Sequence, residues 1–280
     1  MGKLLLVVLI FFLAGIGYAA STATSAKSDF DSMQRENILV LITDEKNKNE
    51  VELGFGFLLG EGAVNFFIDP DGKIGSVPLK TVFESSIKSG AEQIAGMEVA
   101  GMFDMDKASP TKNVKINRIV VIQTSVFEDL VNSVGGIDYR SPEYSGISVS
   151  RHFSGEEFAD LLRADSFSDT SGWEVTFTNP LTKKLETQVK DGREVEKILV
   201  ALGAVDPKSV SWWMAKGTIL AQAADSIDVK DKIIVGRIVE IALKSYKNEV
   251  IQVHPGNTLT KLIKYVPVDA AKNKAASLVA

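Results

Sequence analysis

INRIVVIQTSVFEDLVNSVGGIDY, residues Ile116 to Tyr139, changes its periodicity once, and that change decides the fold. Its first part belongs to an apolar run from Val114 to Ile122, which reads as a strand. Ser125-Val126-Phe127-Glu128 then has the spacing of a capping box, the serine hydroxyl meeting orphan amides and the glutamate reaching back. Phe127, Leu130, Val131 and Val134 follow at helical intervals and give the helix one apolar face. Gly135 and Gly136 end it. A strand followed by an amphipathic helix is the unit from which layered α/β domains are built.

Working outward, the same alternation recurs. Asn37 to Ile42 (NILVLI) is a continuous apolar run, as expected of a strand buried on both faces. Val51 to Leu59 and Val64 to Ile68 read as a strand pair joined through Gly60-Glu61-Gly62, and Asp69-Pro70-Asp71-Gly72 is turn chemistry. From Leu79 to about Met97 the residues Val82, Phe83, Ile87, Ala91 and Ile94 recur at helical spacing. Downstream, Ser154 and Glu157 repeat the capping-box spacing before Phe158, Leu161 and Leu162. Trp173 to Val189 predicts a protruding hairpin bent at Asn179-Pro180. Val195 to Leu202, Val210 to Ala224 and Lys232 to Tyr246 predict three more helices, and Val250 to Val253 a last strand before His254-Pro255-Gly256. The fold class these imply is α/β: a three-layer α/β/α sandwich with a central mixed sheet and a hairpin inserted at about 172–190. With no second linker, residues 35–268 read as one domain, 21–34 as a linker and 269–280 as a tail.

The N-terminus points away from the cytoplasm. Lys3 supplies a positive start, Leu4 to Ile16 is apolar, and Gly17-Tyr18-Ala19 offers small residues at both positions a signal peptidase reads. Residues 1–20 are expected to be a signal peptide or an N-terminal membrane anchor, which makes the protein extracytoplasmic, secreted or held near the membrane. Removing them takes away one lysine and no acid, so the net charge moves from -5 to -6. That acidity argues against nucleic acid as a partner. The 280 residues hold no cysteine, which excludes disulfide staples, thiolate metal sites and lipoprotein attachment. Only two histidines are present, His152 and His254, so a histidine zinc site or a catalytic triad has little to stand on.

Other residue groups have a plain reading beside a sharp one. Asp69 with Asp71, and Asp104 with Asp106, are D-x-D pairs suited to a hard cation, yet aspartate is common in such turns. Trp212-Trp213 would suit a sugar-stacking platform, whereas helical spacing with Met214, Ile219 and Leu220 assigns at least one indole to the core. Arg151-His152 reads as a solvated loop end, and His254 as a strand terminus.

A series of local matches in consistent order resembles the LytR–CpsA–Psr family. Asn37 to Asp44 (NILVLITD) is similar to its opening NILLLG-x-D strand, and Val64 to Asp71 (VNFFIDPD) to the strand ending S-I-P-R-D. Ile116 to Tyr139 is similar to I-D-x-Y-V-x-V-D-x-x-x-F-x-x-L-V-D-x-L-G-G-V-x-V, and Phe153 to Arg163 (FSGEEFADLLR) to L-x-G-E-x-A-L-x-Y-V-R. The resemblance spans roughly the whole exported part, through motifs that identify a fold better than an activity.

What the resemblance implies is an extracytoplasmic phosphotransferase of cell-wall biogenesis. Such an enzyme moves a glycopolymer with its linking phosphate from polyprenyl pyrophosphate to an envelope acceptor. Arginines hold the pyrophosphate, acids hold Mg²⁺ or activate the acceptor hydroxyl, and an apolar cavity houses the prenyl chain. Carried over residue by residue, Asp44, Asp71 and Arg163 fall on catalytic positions, with Asp44 and Asp71 as the Mg²⁺ ligands. Arg193 and Glu52 fall on binding positions. The departures are as telling. Glu50-Val51-Glu52-Leu53 stands for R-x-D-T, so its arginine is missing and Glu52 takes the acid's place. Pro70 stands for the arginine of P-R-D, and Asp165 for the second arginine of R-x-R. An anion in place of a cation beside a pyrophosphate turns attraction into repulsion worth several kcal/mol, roughly, in a partly desolvated pocket. The expectation is therefore a protein that binds a lipid-linked or glycan ligand, or a partner, without transfer. An active Mg²⁺-dependent transferase is the first alternative and a structural envelope component the second. Lysines from elsewhere, such as Lys73 or Lys80, would replace the missing charges if the fold turns them into the pocket.

Overall fold

The computed structural model describes residues 36–44, 50–58, 64–68, 72–74, 76–91, 96–99, 115–141, 143–201, 212–228, 230–254, 267–269 and 272. The N-terminal segment, Asp69, Asp71 and the Asp104–Asp106 pair lie outside them.

The NILVLI run forms the middle of the structure. It is strand β1 (Asn37–Thr43), buried along its whole length. Its residues alternate, Ile38, Val40 and Ile42 entering one apolar core while Leu39 and Leu41 enter another on the opposite face. Such a strand has no wet side, which is why no polar alternation shows in its sequence. It pairs antiparallel with β2 (Val51–Leu58) and parallel with β6 (Arg118–Gln123). Strand β3 (Val64–Ile68) lies outside β2, and β11 (Ile251–His254) outside β6 and antiparallel to it. The central sheet is thus mixed, in the order β11-β6-β1-β2-β3. Two short strands, β4 (Lys73–Ile74) and β5 (Val77–Pro78), pair with each other apart from it.

One face of the sheet is covered by helix α1 (Leu79–Ser89), through Leu79 and Phe83, and by Val99 of the helical residues 96–99. Periodicity alone extends α1 to Met97. Gly90, in the left-handed region at φ 67°, stops it by folding its amide back to the carbonyls of Ile87 and Ser86. The other face carries α2 (Thr124–Ser133), α3 (Gly155–Arg163), α5 (Trp212–Ser226) and α6 (Lys232–Lys247), which give the three layers. The two strand–helix junctions at this layer are held differently. Strand β6 passes into α2 with extended Gln123 as the flanking residue and no side-chain cap. Ser125 lies inside the first turn, so the capping box expected there does not form: with no loop before the helix, the serine has no place outside it. The second one does form, Ser154 accepting from the Glu157 amide while Glu157 accepts from the Ser154 amide. Gly155 follows because α3 starts hard against α2, where a Cβ would stand 2.3 Å from the Glu128 carbonyl oxygen.

A second sheet, β7 (Ile137–Arg140), β8 (Ile147–Phe153), β9 (Trp173–Thr178) and β10 (Leu185–Lys190), runs antiparallel in the order β10-β9-β8-β7. Its β9–β10 part is the expected hairpin, and helix α4 (Gly192–Ala201) follows it. The sheet shares the larger core with the central one through Val149, Phe153, Trp173 and Val175. Trp173 is fully buried, stands edge-on to Tyr139 and Phe153, and donates its indole N–H to Thr170 Oγ1 at 2.8 Å. Arg151 is corrected here from a solvated loop end to a buried strand residue. Its guanidinium lies 4.5 Å from the Phe153 ring centre, close to Trp173, and reaches Glu157 at 3.3 Å. Its neighbour His152 points outward to Asp138 at 2.8 Å.

Candidate functional site

The carboxyl end of β1, the start of β2, the C-terminus of α3 and the starts of α1 and α5 converge on a cluster of charges. Asp44 follows β1 immediately, and its amide donates to the Glu50 carbonyl at 3.1 Å, drawing together the ends of the 45–49 segment. Arg163, the last residue of α3, crosses to Asp44 (Nε to Oδ1, 3.2 Å) and holds Asp160 on its own helix at 2.9 Å. Residues 119 apart in sequence meet there.

Glu52 owes its position to an irregularity in the ladder. Ile42 pairs with Leu53 and Thr43 with Val51, which leaves Glu52 as the extra residue of a β-bulge. Nearly fully buried, it faces Lys216 of α5 at 3.7 Å, and Lys216 is itself buried. Lys216 donates to the Leu162 carbonyl at 2.6 Å, so one cation closes the C-terminal end of α3 and answers the bulge carboxylate. Burial pushes the Glu52 carboxyl up to about 7 against the pull of Lys216 and Lys80. Burial likewise pushes the Lys216 amine down to about 8, against the attraction of Glu52 and Asp165.

The third cation is Lys80, in the first turn of α1, paired to Glu50 at 2.9 Å. Burial disfavours its charge, but the hydrogen bond and field of Glu50, with Glu52 beyond, hold its amine above the usual lysine range. Glu84, one turn on, has its carboxyl raised mainly by burial, with an opposing hydrogen bond from the Val51 amide. Around Arg163, Lys216 and Lys80 stand six carboxylates: Asp44, Glu50, Glu52, Glu84, Asp160 and Asp165. The cluster carries more negative than positive charge, and each of its three cations faces an acid.

The structure thus brings Asp44, Glu52 and Arg163 together. Arg193 is elsewhere in character, exposed in the first turn of α4 with no ion pair among the described residues. Of the two lysines named as replacements, Lys80 joins the cluster, and the side chain of Lys73 lies outside the described residues. Lys216 went unread, although a signal existed. It is the one basic residue of the helix Trp212–Ser226, set among apolar neighbours, and a lone cation there has to be answered by a buried acid. The side chains of Trp212 and Trp213 lie outside the described residues, so neither reading of that pair is decided.

Of the two expected magnesium ligands, Asp44 is described and Asp71 lies outside the described residues, so the pair is not decided. Among the described residues no group of three or more potential ligands forms, and the Asp44 carboxylate is engaged by Arg163. A separate cavity of about 30 Å³ opens between α2, α3 and α5, lined by apolar residues that include Phe127, Val131, Phe158, Leu220 and Ile227. Ligand pockets usually run to roughly 300–1,000 Å³, so a prenyl chain does not fit this cavity as it stands. Among the described residues no helix is long and apolar enough to cross a membrane.

With this geometry in view, comparison with known proteins gives a remote structural likeness. No family model matches the chain, and no curated protein matches it. Solved structures do resemble it. A LytR-Csp2A-Psr enzyme from Actinomyces oris is 14% identical, with 88% of this chain and 77% of that chain covered and a TM-score of 0.41. The protein gbs0355 from Streptococcus agalactiae is 13% identical, with 88% and 76% covered and a TM-score of 0.41. TagT from B. subtilis is 12% identical, with 82% and 74% covered and a TM-score of 0.34.

Proposed function

We propose that this chain is an extracytoplasmic cell-envelope protein that binds a lipid-linked or glycan ligand, or an envelope partner, without catalysing phosphotransfer. The observation that carries the reading is the buried Glu52–Lys216 pair with its acidic surroundings. A pyrophosphate site needs cations whose charge is left for the ligand. Here Arg163 is drawn to Asp44 and Asp160, Lys216 to Glu52, and Lys80 to Glu50. Bringing a pyrophosphate to this place means displacing internal ion pairs and facing the acids they leave behind. The resemblance of Asn37 to Asp44 and of Ile116 to Tyr139 to family motifs supports the envelope setting, and the Lys3–Ala20 stretch supports export.

The active transferase stays as the competing reading because Arg163 and Asp44, two of its carried-over residues, do meet. The experiment offers the full chain, in detergent, a polyprenyl-pyrophosphate-linked glycan with and without Mg²⁺. The expected result is retention of the lipid-linked glycan with no release of prenyl phosphate. Prenyl phosphate release that Arg163→Ala abolishes would overturn the proposal. Neither binding nor release would move the assignment to a structural envelope component.

A further inference from the structure

We infer that the open edge of β10 is a self-association surface, on which a second copy of this chain adds its own β10 antiparallel to form one continuous sheet. The inference rests on the hairpin alone and is independent of the ligand reading above.

Strand β10 ends the second sheet, with β9 on one side and no strand on the other among the described residues. Natural edge strands are usually shortened, bulged, interrupted by proline, guarded by like charges or covered, because a bare row of amides and carbonyls is a template for another chain; the charges here, Glu186 and Lys190, are of opposite sign. This one runs six residues in unbroken register, LETQVK, with no proline. Six large apolar side chains stand exposed among the described residues, and three of them, Leu181, Leu185 and Val189, sit on this hairpin. The others, Val77, Met97 and Ile233, are scattered. Leu185 and Val189 stand on the face of the sheet beside its open edge, where a strand added to that edge would set its own apolar side chains laterally against them.

The ladder phase tells which groups face outward. Asn179 donates to the Lys184 carbonyl at 2.8 Å, which makes 179 and 184 a hydrogen-bonded pair. Alternation then makes Phe177 with Glu186, Val175 with Gln188, and Trp173 with Lys190 the next such pairs. The amides and carbonyls of Leu185, Thr187 and Val189 therefore point to the open edge. A second β10 docked there must oppose these residues to one another, which restricts the register to even sums of residue numbers.

Charge selects among the allowed registers. Centred on Glu186, the two copies would set like charges opposite each other, and centred on Thr187 they would oppose Lys184 to Lys190. Centred on Gln188, each Glu186, which within its own chain accepts from Asn179, faces Lys190 of the second copy, which within its own chain pairs with Glu194 at 3.2 Å, twice over by symmetry. Leu185, Thr187 and Val189 of both copies then form one strip on the outer face of the joined sheet. The occupant is thus another β10, whose charge order complements itself.

The test uses the full chain in detergent, whose natural sequence has no cysteine to confuse a cross-link. In the Gln188-centred register, position 188 meets itself in a non-hydrogen-bonded pair with Cα atoms about 4.5 Å apart, within disulfide reach. Gln188→Cys is expected to cross-link into a dimer under mild oxidation, while Thr176→Cys on β9 stays monomeric. Lys190→Glu should weaken dimerisation about tenfold in sedimentation, and Glu186→Lys with Lys190→Glu should restore it. A wild-type chain that sediments as a monomer overturns the proposal. So does equal cross-linking at 176 and 188, which would show association through the detergent micelle, or a dimer that Gln188→Cys fails to trap.

Discussion

The two sheets share a core, yet they are held in opposite ways. The central sheet has apolar residues on both faces of β1 and β6 and is covered on each side. The second sheet buries one face only, through Val149, Phe153, Trp173 and Val175, and leaves β10 at its margin. A strand buried on both faces is fixed by bulk and needs no particular partner. A strand buried on one face depends on a few large side chains, and here Trp173 is the largest. Polar design follows the same division. The charged cluster gathers where the central sheet ends, at a bulge, because apolar packing stops there and buried charge has to be matched with charge.

Three changes would break or sharpen that contrast. Trp173→Ala should lower stability by about 4 kcal/mol, the range for truncating a buried aromatic. Denaturant unfolding checks it, and near-ultraviolet circular dichroism should lose its aromatic signal. A loss below about 1 kcal/mol would mean that the second sheet does not hang on this residue.

Next in size is the charged end of the central sheet. Lys216→Met leaves Glu52 buried without its cation and should cost about 3 kcal/mol, while Lys216→Met combined with Glu52→Leu should recover most of that. The pair also sets a pH dependence. Glu52 is raised in the folded chain, so its contribution is greatest at low pH and is lost as pH rises towards about 7. Lys216 is lowered, so its contribution is present above the ordinary lysine range and lost as pH falls towards about 8. Between about 7 and 8 both penalties act, and stability is expected to pass through a shallow minimum there that the double variant lacks. Thermal unfolding across pH 5 to 10, roughly, compares the two curves.

The smallest effect separates the two expected helix caps. Ser154→Ala should cost about 1 kcal/mol because a formed capping box is lost, and Ser125→Ala less than about 0.5 kcal/mol because none is. Similar losses at both positions would mean that α2 is capped through Ser125 after all.

How much of this was legible follows from the same physics. NILVLI announced a strand with two dry faces, and Ser154 to Leu162 announced both a helix and its start. Trp173 to Val189 announced the hairpin, since the turn at Asn179-Pro180 lies between alternating segments. Strands β7 and β8 were missed because four residues, IDYR, carry too little periodicity, and because Arg151-His152 looks solvated until the Phe153 and Trp173 rings are in place around it. The stop of α1 at Gly90 was overlooked because helical spacing continues in the sequence beyond it. At the site, Asp44, Glu52 and Arg163 came from a resemblance in motifs. Nothing in the spacing of Glu52 and Lys216 indicates that they touch, for a bulge register and a helix packing decide it.

The order of the central sheet also bears on time. Strand β1 meets β2 across a short connection, but its other neighbour, β6, lies about 80 residues away, as the Asn37–Asn117 hydrogen bond marks. The edge beyond β6 is closed only by β11, near the far end of the described chain. Distant pairings of this kind have to close long loops before they gain anything, so the middle of the molecule, although its most buried part, belongs to a topology of slow folders.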